Sequence, residues 1–176
     1  QWGDEVSTIV GTENTFVPAQ GVKMLRMEDD GLTWTQVFQS TNITSYAAMV
    51  DAGLASITAR ALFNAHPKLA AAVANINVKF FTASSWGSMV GGPVSSNLTL
   101  DANPNTWQVN AAAGAVPVGT RWIVTEIAYQ DISLLAPDGV YYPGYVDAAD
   151  VTIIPEPTTI SILSLGALSL FRRKAV

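Results

Sequence analysis

Ile76-Asn77-Val78-Lys79-Phe80-Phe81 places apolar side chains at alternate positions, the period of a strand with one buried face. A second run, Arg121-Trp122-Ile123-Val124-Thr125-Glu126-Ile127-Ala128-Tyr129, follows the turn Pro117-Val118-Gly119-Thr120 and is rich in β-branched and aromatic residues. Outward from these, Gly21-Val22-Lys23-Met24-Leu25-Arg26-Met27 alternates and stops at the turn cluster Glu28-Asp29-Asp30-Gly31. Trp34-Thr35-Gln36-Val37-Phe38-Gln39 alternates again, and Leu98 and Leu100 mark a short strand. Asn103-Pro104-Asn105 turns the chain into Thr106-Trp107-Gln108-Val109, and residues 145–154 make a final strand. The Ala-rich run 46–63 reads as a long strand. Propensity alone permits helix over residues 54–63, but Val50, Ile57 and Thr58 sit among polar alternations. After the break at Asn64-Ala65-His66-Pro67-Lys68, residues 69–74 are expected to form the one short helix of the body. About eight strands joined by polar turns predict an all-β antiparallel sandwich over residues 1–154.

The composition narrows the function. Hydrophobic residues make up 49% of the chain and charged residues 13%, about half the usual charged share. A surface so poor in charge suits a protein that packs against copies of itself or sits in a polysaccharide matrix. Residues 1–154 carry 13 acidic and 6 basic residues, an acidic balance that argues against nucleic acid as a partner. Cysteine is absent, which excludes disulfides, thiolate chemistry and cysteine-based zinc sites. The opening Gln1-Trp2-Gly3-Asp4 has no basic and apolar leader, as expected of a mature exported chain whose signal peptide has been removed.

Residues 155–176 have a different character. Pro155-Glu156-Pro157 precedes an apolar run over residues 158–171, and Arg172, Arg173 and Lys174 follow it. Pro157 suits a helix start, Glu156 the positive end of the helix dipole and the three cations the negative end. The predicted helix of 14 residues is about 21 Å long, a marginal span of a hydrocarbon core of about 30 Å. Ser161, Ser164, Gly166, Ala167 and Ser169 are small enough for close helix approach. Ile160, Ser161, Leu163, Ser164, Ala167, Leu168 and Phe171 are therefore the expected packing positions if tails of several chains associate. The order of Pro155-Glu156-Pro157, apolar run and basic end resembles the PEP-CTERM sorting tail of bacterial surface and matrix proteins. That resemblance implies export, handling by an exosortase at the inner membrane, and Pro155, Glu156, Pro157, Arg172, Arg173 and Lys174 as the sorting signal.

The body also has a family look. The cues Gly21-Val22-Lys23-Met24-Leu25, Val78-Lys79-Phe80-Phe81-Thr82-Ala83, Thr106-Trp107-Gln108-Val109 and Tyr145-Val146-Asp147-Ala148-Ala149-Asp150-Val151 resemble the galactose-binding-like jelly roll of carbohydrate-binding modules. Such modules usually open on a strand with an Asn-Gly-Phe-Glu-like segment, and no such segment precedes Trp2. The first strand is then either missing or diverged, and an edge left unfilled would be a template for another chain.

Candidate chemistry is sparse. His66 is the only histidine, too few for a multi-histidine metal site, and no Gly-x-Ser-x-Gly elbow exists. No catalytic residue is assigned, and the chain is read as non-enzymatic. The jelly-roll resemblance implies a structural calcium, for which Asp147 and Asp150 are the weak candidates. Three positions apart in a strand, their side chains are expected on opposite faces. Trp86, Tyr141 and Tyr142 lie in loops and are the expected exposed sugar platforms, because aromatic rings stack on the apolar faces of sugars. Trp34, Trp107 and Trp122 lie in strands, and at least two of them are expected in the core. Asn42-Ile43-Thr44 and Asn97-Leu98-Thr99 match the glycosylation sequon and read as chance. Two functions remain. The first is a self-assembling structural protein of the cell surface or extracellular matrix. The alternative is a surface module that binds exopolysaccharide.

Overall fold

The computed structural model describes residues 7–28, 34–69, 72–83, 87–101, 103–130 and 142–155. The expected helix over residues 158–171, and with it the sorting and packing positions from Glu156 onward, lies outside them. Among the described residues are nine strands: β1 (Ser7–Val10), β2 (Met24–Met27), β3 (Trp34–Asn42), β4 (Ala55–Ala65), β5 (Val73–Phe81), β6 (Val94–Thr99), β7 (Gln108–Ala115), β8 (Trp122–Gln130) and β9 (Gly144–Pro155). They form two antiparallel sheets, ordered β1-β2-β9-β4-β7 and β3-β8-β5-β6. The sandwich expected from the alternating runs is therefore the fold.

Alternation accounts for the core. On β4, Ala55, Ile57, Ala59, Ala61 and Phe63 face inward; on β5, Ala74, Ile76, Val78 and Phe80 oppose them. Two polar side chains tie the layers together. Asn110 of β7, 4% exposed, donates through Nδ2 to the carbonyls of Ala74 (3.0 Å) and Ser96 (3.1 Å), and its Oδ1 accepts from Ser96 Oγ at 2.7 Å. Tyr129 of β8 reaches across to the other sheet, its hydroxyl lying 3.0 Å from the carbonyl of Asn64 and 2.5 Å from that of Tyr145. Burial holds this phenol far above its ordinary pKa, so it stays a donor. Gly144 makes the approach feasible: a Cβ there would lie 2.7 Å from the Tyr129 ring.

Three expectations are corrected, and one alternative left open is decided. Ser7–Val10 is a strand that pairs with β2, so a strand does precede β2 among the described residues. In place of one long strand over residues 46–63, Ala47–Asp51 is an α-helix, α1, preceded by the 3-10 turn Thr44–Tyr46. The chain crosses between sheets here, and the stop signal is Gly53 at φ +68°. Gly53 N–H donates to the carbonyl of Val50 (2.9 Å) and Leu54 N–H to that of Met49 (3.0 Å), a Schellman closure. Conversely, the helix expected over residues 69–74 is absent among the described residues. Leu69 and Ala72 make single turns, and Val73 already begins β5, because buried Ala74 is the first rung of the apolar alternation. Finally, Asp147 and Asp150 share a face. Asp147 pairs with Leu62 and Asp150 with Arg60, so a bulge with Ala148 at φ +50° inserts one extra residue.

Arg121 ties α1 to the start of β8. Its Nη1 and Nη2 meet Asp51 Oδ1 and Oδ2 at 2.9 and 2.7 Å. The hydrogen bond from Arg121 holds the Asp51 carboxyl below its ordinary pKa. The bridge therefore stabilises the fold above the unfolded carboxylate pKa of about 3.9 and is lost as pH falls through the depressed folded value. Asp51→Asn is expected to lower the melting temperature at pH 7, with the difference from the parent disappearing in acid as the carboxyl protonates. Melting curves across pH check this, and a difference that persists in acid contradicts it.

Candidate functional site

The second sheet turns its inward rows to the core, so the alternate residues of β3, β8, β5 and β6 face outward together. The registers place them in five rows. These are Trp34–Gln130–Val73–Thr99, Gln36–Ala128–Asn75–Asn97, Phe38–Glu126–Asn77–Ser95, Ser40–Val124–Lys79 and Asn42–Trp122–Phe81. Polar groups dominate the middle rows, where Phe38 is the one aromatic ring, and Trp34 stands at one end with Trp122 and Phe81 at the other. On the central strand β8, Ala128 and Val124 are small and buried despite facing outward. Gln36 and Asn75 are larger than the Ala128 between them, which makes a trough in the face at this row.

Hydrogen bonding within the trough is incomplete. Asn75, 9% exposed, donates through Nδ2 to Asn97 Oδ1 at 2.6 Å and to the carbonyl of Ser96 at 3.4 Å. Lys79 Nζ donates to Glu126 Oε2 at 2.6 Å, a half-buried ion pair across β5 and β8. Asn77 Oδ1, beside Glu126, is buried and has no hydrogen-bond partner among the described residues. A buried acceptor left unpaired costs about 1–3 kcal/mol, and a hydroxyl-bearing ligand lying in the trough would satisfy it. Trp34 is 41% exposed and offers ring surface at one end, with half-buried Trp122 at the other. Fixed acceptors, one charge pair and aromatic faces suit a neutral polyhydroxylated chain.

Of the sugar platforms expected from the sequence, only Tyr142 is among the residues described, and it lies outside these rows. Trp86 and Tyr141 fall outside the described residues. Tyr142 stacks on His66 with centroids 3.9 Å apart, and its hydroxyl accepts from Lys68 Nζ at 3.0 Å. One face of that ring is thus already covered. None of the three strand tryptophans is buried: Trp34 is exposed, and Trp107 and Trp122 are half-buried. Trp107 Nε1 donates to the carbonyl of Val17 at 3.0 Å and pins the loop that carries Phe16 over Tyr145. The expectation of two core tryptophans therefore fails, because the inward positions of these strands go to smaller residues.

The calcium candidates are engaged by donors. Asp147 Oδ2 accepts from Gln20 N–H at 2.8 Å and Oδ1 from Ala148 N–H at 2.7 Å. Asp150 Oδ2 meets Thr152 Oγ1 at 3.2 Å and Arg60 Nε at 3.5 Å. Among the described residues no group of three or more acidic or histidine side chains converges. Calcium takes six to eight oxygens, so an ion here would need ligands besides these two carboxylates.

The trough residues were present in the sequence as Asn75, Asn77 and Lys79, the polar positions interleaved with Ile76, Val78 and Phe80. Their alternation signals only an outward face. Which outward face carries a site depends on how the strands are ordered.

No family model matches the chain, and no curated protein sequence matches it. Solved structures do. A family 61 carbohydrate-binding module solved with β-1,4-galactotriose is similar over 85% of this chain and 82% of its own, at 11% identity and a TM-score of 0.54. The CBM22-2 xylan-binding domain from Paenibacillus barcinonensis Xyn10C covers 86% and 89% at 14% identity and a TM-score of 0.51. A family 16 carbohydrate-binding module covers 86% and 89% at 12% identity and a TM-score of 0.53. Likeness at this identity speaks to architecture: the body of this chain has the β-sandwich fold of carbohydrate-binding modules.

Proposed function

We propose that this chain is a non-catalytic carbohydrate-binding module on an exported surface protein, and that the trough of the β3-β8-β5-β6 sheet holds a polysaccharide. The observation that carries this reading is Asn77 Oδ1, a buried acceptor left open between the Lys79–Glu126 pair and Asn75. Sugar hydroxyls donate to such groups, and the end rows supply aromatic faces. The similarity of fold to a module solved with β-1,4-galactotriose and to a xylan-binding domain supports the ligand class. The Pro155-Glu156-Pro157 segment with its basic end supports export and exosortase sorting to the cell surface, where exopolysaccharide would be the ligand. Support for assembly with copies of itself rests on low charge and the small residues of the tail, so the glycan reading takes precedence.

Affinity electrophoresis of the full chain in gels containing xylan or β-1,4-galactan, followed by a broader glycan array, tests this. Asn77→Ala and Trp34→Ala are each expected to weaken retardation roughly tenfold. A full chain that binds no polysaccharide, or variants that bind as the parent does, would overturn it.

A further inference from the structure

The two sheets part along the side formed by β3 and β9, and a cleft of about 840 Å³ enters between them. Its floor is the inner face of the second sheet, with Val37, Ile76, Ile123 and Ile127; Val151 and Ile153 of β9 belong to its roof. At the mouth, Ile9 is 58% and Val151 41% exposed. Both nevertheless stand in rows that lead into the core, Ile9–Leu25–Val146 and Val151–Ala59. Apolar groups left in water on inner faces mark a binding surface. A third row, Gln39–Thr125–Val78, crosses the floor from the exposed edge strand to the core. Thr125 alternates with Ile123 and Ile127, so its side chain points between the sheets. It is 9% exposed, and its Oγ1 is buried with no hydrogen-bond partner among the described residues.

These features define an occupant. The volume falls within the range of about 300–1,000 Å³ that small-molecule sites fill. The floor and roof call for a hydrocarbon chain. Thr125 Oγ1, one strand in from the mouth, calls for an oxygen at the head of that chain. Charge at the rim is balanced: Lys23 and Arg60 stand against Asp147 and Asp150, and Arg60 Nε lies 3.5 Å from Asp150 Oδ2. Exposed Gln39 and Thr41 of β3 add uncharged donors and acceptors. A balanced hydrogen-bonding rim complements an uncharged, hydroxylated head rather than an ionic one. We infer that the cleft is a second site, for a neutral single-chain glycolipid. The hydrocarbon chain lies between the sheets, the sugar head rests on the rim, and Thr125 Oγ1 donates to the oxygen that joins them. The glycan trough uses the alternate residues of the same strands, so the two sites occupy opposite faces of the second sheet. The inference stands whether or not the trough binds polysaccharide.

Isothermal titration of the full chain with n-decyl β-maltoside, kept below the concentration at which it forms micelles, tests it. Saturable binding of one molecule per chain is expected, with no comparable binding of maltose. Val151→Asp, which sets a carboxylate beside the hydrocarbon chain, is expected to weaken binding at least tenfold. Thr125→Val keeps the shape and separates a binding hydroxyl from a structural one. It is expected to weaken binding roughly tenfold while raising the melting temperature of the ligand-free chain, because a buried hydroxyl without a partner is removed. No saturable binding, equal binding of maltose, or parent-like binding by both variants would overturn the inference. So would displacement of the maltoside by a xylan or β-1,4-galactan oligosaccharide, which would place the ligand in the trough. If light scattering shows that the maltoside enters only as an oligomer dissociates, a second copy is the occupant and the inference is likewise overturned.

Discussion

Tyr129→Ala is expected to lower the free energy of unfolding by about 4 kcal/mol, as large-aromatic-to-alanine changes in cores do. Three features compound at this position. The ring is fully buried, it packs edge-on to Phe63 at 5.5 Å, and Gly144 rests on its face. Its hydroxyl joins the two sheets through the carbonyls of Asn64 and Tyr145. Tyr129→Phe separates these contributions: it keeps the packing and is expected to cost about 1–2 kcal/mol, because buried carbonyls lose a donor. Gly144→Ala approaches the same ring from the other side and is expected to cost about 2–3 kcal/mol by overpacking. Urea denaturation measures all three. Equal losses for Tyr129→Phe and Tyr129→Ala would show that the hydroxyl, rather than the ring, dominates.

Glu126→Ala is expected to reduce polysaccharide affinity about 100-fold, near 2.7 kcal/mol. The change removes a charged acceptor from the trough and leaves Lys79, half-buried, without its 2.6 Å partner. Charge-assisted hydrogen bonds are the strong ones, and a stranded, partly buried charge adds its own desolvation cost. Glu126→Gln keeps the shape and should lose about tenfold. Isothermal titration with an oligosaccharide of the polysaccharide retained in the gels reads the difference. The trough assignment fails if both variants bind as the parent does while their circular dichroism is unchanged.

How legible this protein was differs from element to element. Strands β2 through β9 announced themselves wherever an apolar residue stood at every second position, as at Ile76, Val78 and Phe80. β1 has only the residues Ser7-Thr8-Ile9-Val10, too short for a period to show, and it exists because β2 offers an edge. The helix was expected in the wrong place. Residues 69–74 look helical by their alanines, but Ala74 fills a core rung. The real helix, Ala47–Asp51, is stopped by the backbone of Gly53, and that stop depends on where the chain must cross between sheets. The expectation for Asp147 and Asp150 failed for a related reason. Counting residues along a strand assumes an unbroken ladder, and the bulge at Ala148 breaks it.

By itself the sequence determined the fold class, the acidic low-charge surface, the lack of thiol chemistry and the separate character of residues 155–176. All of these depend on composition and on periodicity along the chain, which local steric and solvent preferences dictate. Only the tertiary structure decided which outward positions act together. Asn75, Asn77, Glu126 and Trp34 come from β5, β8 and β3, strands up to 92 residues apart in number, and become neighbours through the order β3-β8-β5-β6. The same ordering leaves residues 147–155 of β9 with β4 on one side and no described strand on the other. Strand order is set by which faces bury the most apolar surface together, a property of pairs of strands that no single stretch of residues contains.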